Sequence, residues 1–260
     1  MILRIRSRGP ALVLVAALVF TAPAAADPDK KLGWNGSIGL GIAWTEGTTD
    51  SFNGNGTIQL ERNWERDRFR TELLALYGEA DSDTNTNRQE LSAEYRHYFL
   101  KRLYGFASGG FGRDTVQRVR WRALANAGPG YRWWEGESGE KRHFDTEFGV
   151  GYLHQEFLRS SSDTGNLQRR EDARDDPLLR FAFEHANVLG EALEIVHTGS
   201  FLLPPTSEDE FIVRSQLIAS VPIAWGWAFR NTFFVEYQNE PPPEADETTF
   251  TYSAGLEYKF

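Results

Sequence analysis

The sequence contains no cysteine. Neither a disulfide framework nor thiol chemistry is therefore available, and stability has to come from packing and hydrogen bonding. It also lacks any apolar run of the roughly 20 residues that a membrane-spanning helix needs. The longest, residues 11–20, is ten residues, and helical spans are excluded. Basic residues are in the minority, 28 Lys and Arg against 37 Asp and Glu, and no nucleic-acid partner is indicated. The five histidines (His97, His143, His154, His185 and His197) are scattered, none with a carboxylate or second histidine at metal-ligand spacing. They read as solvated or lumenal side chains. Ser160 to Ser162 and the acids from Asp172 to Asp176 read as ordinary loop residues rather than parts of a nucleophilic site. No catalytic, cofactor-binding or metal-ligating residue is expected, and no enzyme.

The N-terminus carries Arg4, Arg6 and Arg8 ahead of the short apolar run, with Ala24, Ala25 and Ala26 before Asp27. This is the pattern of a secretory signal peptide cleaved after residue 26. The domain reading is a leader over 1–26 and a single β-domain over 27–260. Without the leader the chain keeps 25 basic and 37 acidic residues.

The rest of the chain is polar on average yet rich in aromatics, with eight Trp, nine Tyr and eighteen Phe. Its apolar residues recur with period two. Trp34, Ile38, Leu40, Ile42 and Trp44 alternate with Asn35, Ser37, Gly39, Gly41 and Ala43. The last stretch alternates Phe250, Tyr252, Ala254, Leu256, Tyr258 and Phe260 with Thr249, Thr251, Ser253, Gly255, Glu257 and Lys259. One oily and one wet face, with aromatics near both ends, is what a strand crossing a bilayer requires. Similar alternation recurs along the chain, and the fold expected is an all-β, antiparallel transmembrane β-barrel of about twelve strands. Ten is the alternative, because the strands near 103–112 and 193–203 have ill-defined faces. Turns are expected at 65–68, 100–102, 132–142, 187–191 and 222–226, and longer, more acidic loops at the other end, the longest over 155–176. Two residues break the oily faces: Arg62, beside Trp64 where it can snorkel, and Asn231.

The glycine-rich first strand ending near Trp44, Ser51-Phe52-Asn53-Gly54, Gly128-Pro129-Gly130-Tyr131 and the Tyr258-Lys259-Phe260 ending together resemble the salt-induced outer-membrane protein family, a Gram-negative family of unknown function. The resemblance implies an outer-membrane location and a barrel, and no catalytic residue. Tyr252, Leu256, Tyr258 and Phe260 are similar to the C-terminal signal that the barrel-assembly machinery recognises. The partners this implies are that machinery, outer-membrane lipids and lipopolysaccharide.

The wet faces carry Arg68, Arg70, Glu72, Glu90, Glu94, Arg96, Arg120, Arg122, Asp145, Glu147, Arg180, Glu184, Arg214, Arg230, Glu236, Glu257 and Lys259. In a barrel of about twelve strands, arginines reaching in from facing walls would meet carboxylates. An ion-pair network is expected, with Arg120 and Arg122 beside Asp145 and Glu147. Three functions follow: a narrow channel or osmotic-response barrel with a charged lumen, a closed barrel acting through its acidic outer loops, and, least favoured, a lipid-modifying enzyme. Deletion of Phe260 is expected to lower the amount of protein assembled in the membrane, and Phe250→Ala to leave it near wild type. Quantifying membrane-inserted protein for both variants checks this.

Overall fold

Alternation fixes which face of each strand meets hydrocarbon, but a wall of strands in lipid is stable only if no backbone group is left unpaired. The chain meets this condition by closing on itself. The structure, a computed structural model, describes residues 32–45, 51–80, 83–136, 139–158, 173–190, 192–205, 210–241 and 245–260. The expected leader, 1–26, lies outside them. The strands are β1 (Gly33–Thr45), β2 (Ser51–Asn63), β3 (Asp67–Ala80), β4 (Asp83–Tyr98), β5 (Leu103–Asp114) and β6 (Val119–Gly136). They continue with β7 (Gly139–Phe157), β8 (Ala173–Leu189), β9 (Leu193–Leu203), β10 (Ile212–Ala224), β11 (Trp227–Gln238) and β12 (Thr248–Lys259). Each pairs antiparallel with its neighbour in sequence, and β12 pairs back onto β1, giving a closed twelve-stranded barrel.

The closing seam runs from Ser37 opposite Lys259 to Leu40 opposite Leu256. It is finished by a reciprocal pair in which Phe260 N–H donates to Gly36 O and Gly36 N–H donates to Phe260 O, both at 2.9 Å. The Phe260 ring covers Gly36. At the opposite extreme of connection length, β10 turns into β11 through Trp225 and Gly226 alone, with φ of 50° and 81°. Positive φ at both central residues is the geometry that suits the twist of a two-residue hairpin.

Outward faces are oily. Trp34, Trp64, Trp133, Trp134, Trp225 and Trp227 stand exposed around the end where the chain enters and leaves the barrel. Tyr77 and Tyr152 are exposed toward the other end, so aromatic residues mark both rims as they do in barrels that span a bilayer. The two oily-face exceptions have structural reasons. The Arg62 guanidinium lies 5.2 Å from the Trp34 ring and 4.6 Å from the Trp64 ring, and Tyr252 Oη donates to Asn231 Oδ1 at 2.8 Å.

Several connections are shorter than expected. The turn expected over 132–142 is strand on both sides of residues 137–138, which lie outside the described residues: Arg132 opposes Asp145, Trp134 opposes Phe144 and Gly136 opposes Gly139. A bulge between Arg132 and Trp134 turns two consecutive tryptophans outward, and this break in period two is what made the segment read as irregular. The long loop is also shorter than 155–176. β7 includes Gln155 and Phe157, β8 starts at Ala173, and Gln155 and Asp176 face inward and are buried. Charged rim residues carry no apolar period there, because both faces are polar. Residues 159–172 lie outside the described residues.

Inward glycines give room to large neighbours. A Cβ on Gly130 would lie 2.3 Å from the ring of Tyr104, which is fully buried on the adjoining strand. Gly130→Val is expected to destabilise the barrel by about 1–3 kcal/mol through overpacking. Gly56→Ala, which meets only Leu40 at an ordinary 3.7 Å, should be near neutral. Urea unfolding from lipid vesicles measures both.

Candidate functional site in the lumen

Period two sends every second residue of each strand into the barrel, and from β3 to β11 many of these are charged. They meet in two layers. In the layer nearer the chain termini, Glu184 on β8 is the centre. It accepts from Arg68 at 3.4 Å and from both Nη atoms of Arg70 at 3.2 and 3.3 Å, all from β3. Arg96 of β4 reaches it at 3.0 Å, and His143 of β7 lies 3.0 Å away through Nε2. β3 and β8 are five strands apart around the wall, so these contacts cross the lumen.

Arg96 also donates to Asp145 at 3.0 Å and lies 3.0 Å from Glu147 and 2.6 Å from Glu94. Arg132 places Nε and Nη2 on the two oxygens of Asp145 at 2.8 and 3.0 Å, the bidentate geometry a guanidinium prefers. Its Nη2 also donates to Tyr98 Oη at 3.1 Å. Tyr104 Oη and Arg180 complete the set by donating to Glu147 at 3.2 and 2.6 Å. Toward the other side, Arg70 bonds Glu61 at 3.0 Å, and Glu72 accepts from Gln59.

The second layer lies toward the opposite rim and gathers on Glu236 of β11. Arg214 donates to it at 2.7 Å from the neighbouring strand. Arg122 of β6, five strands away, reaches it at 3.3 Å. Arg88 of β4 pairs with Glu90, approaches Glu236 at 4.0 Å and lies 4.4 Å over the Phe234 ring. With its amide oxygen turned toward Arg122, Gln155 accepts two further bonds at 2.7 and 2.6 Å. Between the layers, one side of the lumen is filled by Leu153, Leu178, Leu202 and Ile212, with Leu124 against them. A third group, at the mouth beside the termini, joins Arg230 to Glu257 at 2.9 Å and Lys259 to Glu194 at 2.5 Å.

The physical logic is charge compensation. Asp145 is 1% exposed, Arg68 2% and Arg96 2%. An ion so far from water costs several kcal/mol unless it is paired and hydrogen-bonded.

A protein-family model described as "Protein of unknown function, DUF481" matches residues 38–260. The chain belongs to the DUF481 family. Comparison with curated proteins gives no match. Among solved structures, the DUF481 barrel is similar to the NanC porin, with 6% identity and a TM-score of 0.50 over 87% of this chain and 100% of that one. It is also similar to the translocator domain of the autotransporter NalP from Neisseria meningitidis, with 14% identity and a TM-score of 0.46 over 88% of each chain. At such identities the likeness is one of fold, that of outer-membrane β-barrels.

The DUF481 lumen brings together Arg68, Arg70, Glu94, Arg96, Asp145, Glu147, Arg180 and Glu184 in one layer and Arg122 and Glu236 in the other. Arg230 lies at the mouth with Glu257, and Glu72 sits apart with Gln59. The expected cluster of Arg120 and Arg122 with Asp145 and Glu147 does not form. A bulge between Val119 and Trp121 buries Val119 and turns Arg120 outward, 68% exposed and 3.5 Å from Glu156. Arg122 stays inside but reaches across to Glu236, while Arg132 and Arg96 hold Asp145. Sequence reasoning missed Arg132, placed in a turn, as well as Tyr98, Tyr104 and His143. A basic residue flanked by aromatics just after Gly128-Pro129-Gly130-Tyr131 was the available signal for Arg132. Of the terminal residues, Tyr252, Leu256 and Phe260 stand exposed on the outward face, with Tyr258 stacked on Phe260.

Elsewhere in the wall His197 Nε2 lies 3.0 Å from Ser215 Oγ, facing outward between β9 and β10. It lies six residues from the end of β9 at Leu203, about 15 Å along a tilted strand. Among the described residues no group of three His, Asp or Glu side chains is arranged to hold a metal ion.

Glu184→Gln is expected to destabilise the barrel by about 3–5 kcal/mol, because Arg68, Arg70 and Arg96 lose their shared counter-charge in a dry site. Arg120→Gln should change stability by less than about 1 kcal/mol, as at an exposed ion pair. Unfolding midpoints in urea, read by tryptophan fluorescence, separate the two.

Proposed function

We propose that this DUF481 protein is an outer-membrane β-barrel whose lumen is held shut at rest by ion pairs between opposite walls, and that it passes small ions or solutes only when those pairs part. The observation that carries the reading is the crossing of the lumen at two levels, by Arg70 and Arg68 to Glu184 and by Arg122 to Glu236. A wide porin keeps its charges solvated along an aqueous channel. Here the guanidinium and carboxylate groups satisfy one another, and apolar side chains fill part of the space between the layers. On this reading the chain is exported from a Gram-negative cytoplasm with a cleaved leader. The barrel-assembly machinery inserts it with its termini on the periplasmic side, and it lies among lipopolysaccharide and phospholipid. The resemblance to salt-induced outer-membrane proteins adds a role under osmotic stress. The protein acts as a barrel rather than an enzyme.

Planar-bilayer recording tests the proposal. The wild type should give brief, small openings. Arg70→Ala combined with Arg122→Ala removes one crossing arm from each layer and leaves Glu184 and Glu236 facing other arginines. It should lengthen and enlarge the openings. Large steady wild-type currents unchanged by the double substitution would overturn the closed lumen. Silence in both proteins would favour a sealed barrel that acts through its outer loops.

A further inference from the structure

We propose that the barrel carries a headgroup site for a phosphoethanolamine lipid at the rim where its first and last strands meet the chain ends. The proposal rests on the outer-membrane reading above, which makes that rim the periplasmic interface and phospholipid its neighbour.

The site is built on Arg62. It lies on the outward face of β2, opposite Trp34 of β1 in register and two residues from Trp64. Its guanidinium sits within 5.2 and 4.6 Å of the two indole centroids. Inside the barrel the arginines of both layers are met by carboxylates; Arg62, among the described residues, has no carboxylate partner and is held by the rings alone. Stacking on aromatic faces fixes the plane of a guanidinium while leaving its N–H edge free to donate, and that edge matches a phosphate as a two-pronged fork.

Beside Arg62 is a groove of about 510 Å³ bounded by Leu32, Gly33, Trp64, Glu65 and Arg66. It carries charges of both signs. Arg66 and Glu65 are exposed in the β2–β3 turn and, among the described residues, neither side chain is engaged in an ion pair. Asp67, which also borders the groove, is occupied by Tyr95 Oη at 2.5 Å and His97 Nδ1 at 2.7 Å. The groove therefore offers two guanidinium groups and one uncommitted carboxylate. That combination suits a zwitterion: the phosphodiester on Arg62 and Arg66, the primary ammonium on Glu65. A choline headgroup has no N–H for Glu65 to accept, and an anionic glycerol headgroup brings no cation to it. From Arg62 into the membrane the same outward wall presents Leu60, Ile58 and Leu73, all exposed, as a bed for the acyl chains.

The test uses full-length mature barrel in bilayer discs made from equal parts phosphatidylethanolamine, phosphatidylglycerol and phosphatidylcholine, with lipids retained on the released protein identified by native mass spectrometry. Wild-type protein is expected to retain phosphatidylethanolamine in preference to the other two. Arg62→Gln should lower that retention about tenfold, the loss of one charge-assisted contact. Glu65→Gln should shift the preference toward phosphatidylglycerol. Faster gel migration of unboiled than boiled protein shows that each variant is folded. An inserted wild-type barrel without lipid preference, or a folded Arg62→Gln barrel that retains phosphatidylethanolamine like wild type, overturns the site alone. A wild-type chain that does not enter the discs overturns the outer-membrane reading and the site with it.

Discussion

Glu184 lies where Arg68, Arg70, Arg96 and His143 converge, and much of the interior is arranged to let them do so. A carboxylate with almost no water around it needs several donors, and here they come from β3, β4 and β7. For β3 to reach β8, nothing bulky can stand between them. The glycines of β6 and β7 serve this end: Gly130 makes room for the Tyr104 ring, and Gly149 lies under Phe106. Those aromatic rings in turn carry Arg96 and Arg180 over their faces at 5.1 Å each. The network is thus a packing solution as much as an electrostatic one, since Arg88, Arg96, Arg132 and Arg180 each have an aromatic ring beside them and a carboxylate ahead.

The outer wall solves the opposite problem. A barrel wall placed in a bilayer has to satisfy backbone groups without water and offer apolar side chains to hydrocarbon. The ladder from β1 through β12 does the first, and the reciprocal Gly36 and Phe260 bonds complete it at the seam. Polar groups on the outward face include Asn231, matched by Tyr252, and His197, matched by Ser215, while others lie at the rim. Arg62 belongs to the second kind, held by two tryptophans near the end of β2. The same residue type thus has two settings: inside, arginine is met by carboxylates, and at the rim Arg62 is held by aromatic rings.

The barrel itself was legible because period two is imposed by geometry at every position of a strand. Even β5 and β9, whose faces the sequence left undefined, fall where turn residues bounded them. Their faces became clear only in three dimensions: Tyr104 and Phe106 point inward on β5, and on β9 Gly199 yields its outward space to the Phe183 ring. Faces were misassigned where a bulge broke the period, and strand ends were misplaced over 155–176, where both faces are polar. At Val119 to Trp121 the break turned Arg120 out of the lumen, and at Arg132 to Trp134 it hid a lumenal arginine inside an apparent turn.

By itself, then, the sequence determined the wall in outline: an all-β barrel with an oily outward face and a charged inward one, both consequences of a two-residue repeat. Pairing among those charges was decided only by the tertiary structure. Arg122 meets Glu236 and Arg70 meets Glu184 because closure of the barrel brings strands five apart face to face, and no local pattern encodes that distance. The stacking of Arg62 between Trp34 and Trp64 likewise depends on the register of β1 against β2. Chain order sets which strands are neighbours; barrel closure and register set which side chains meet.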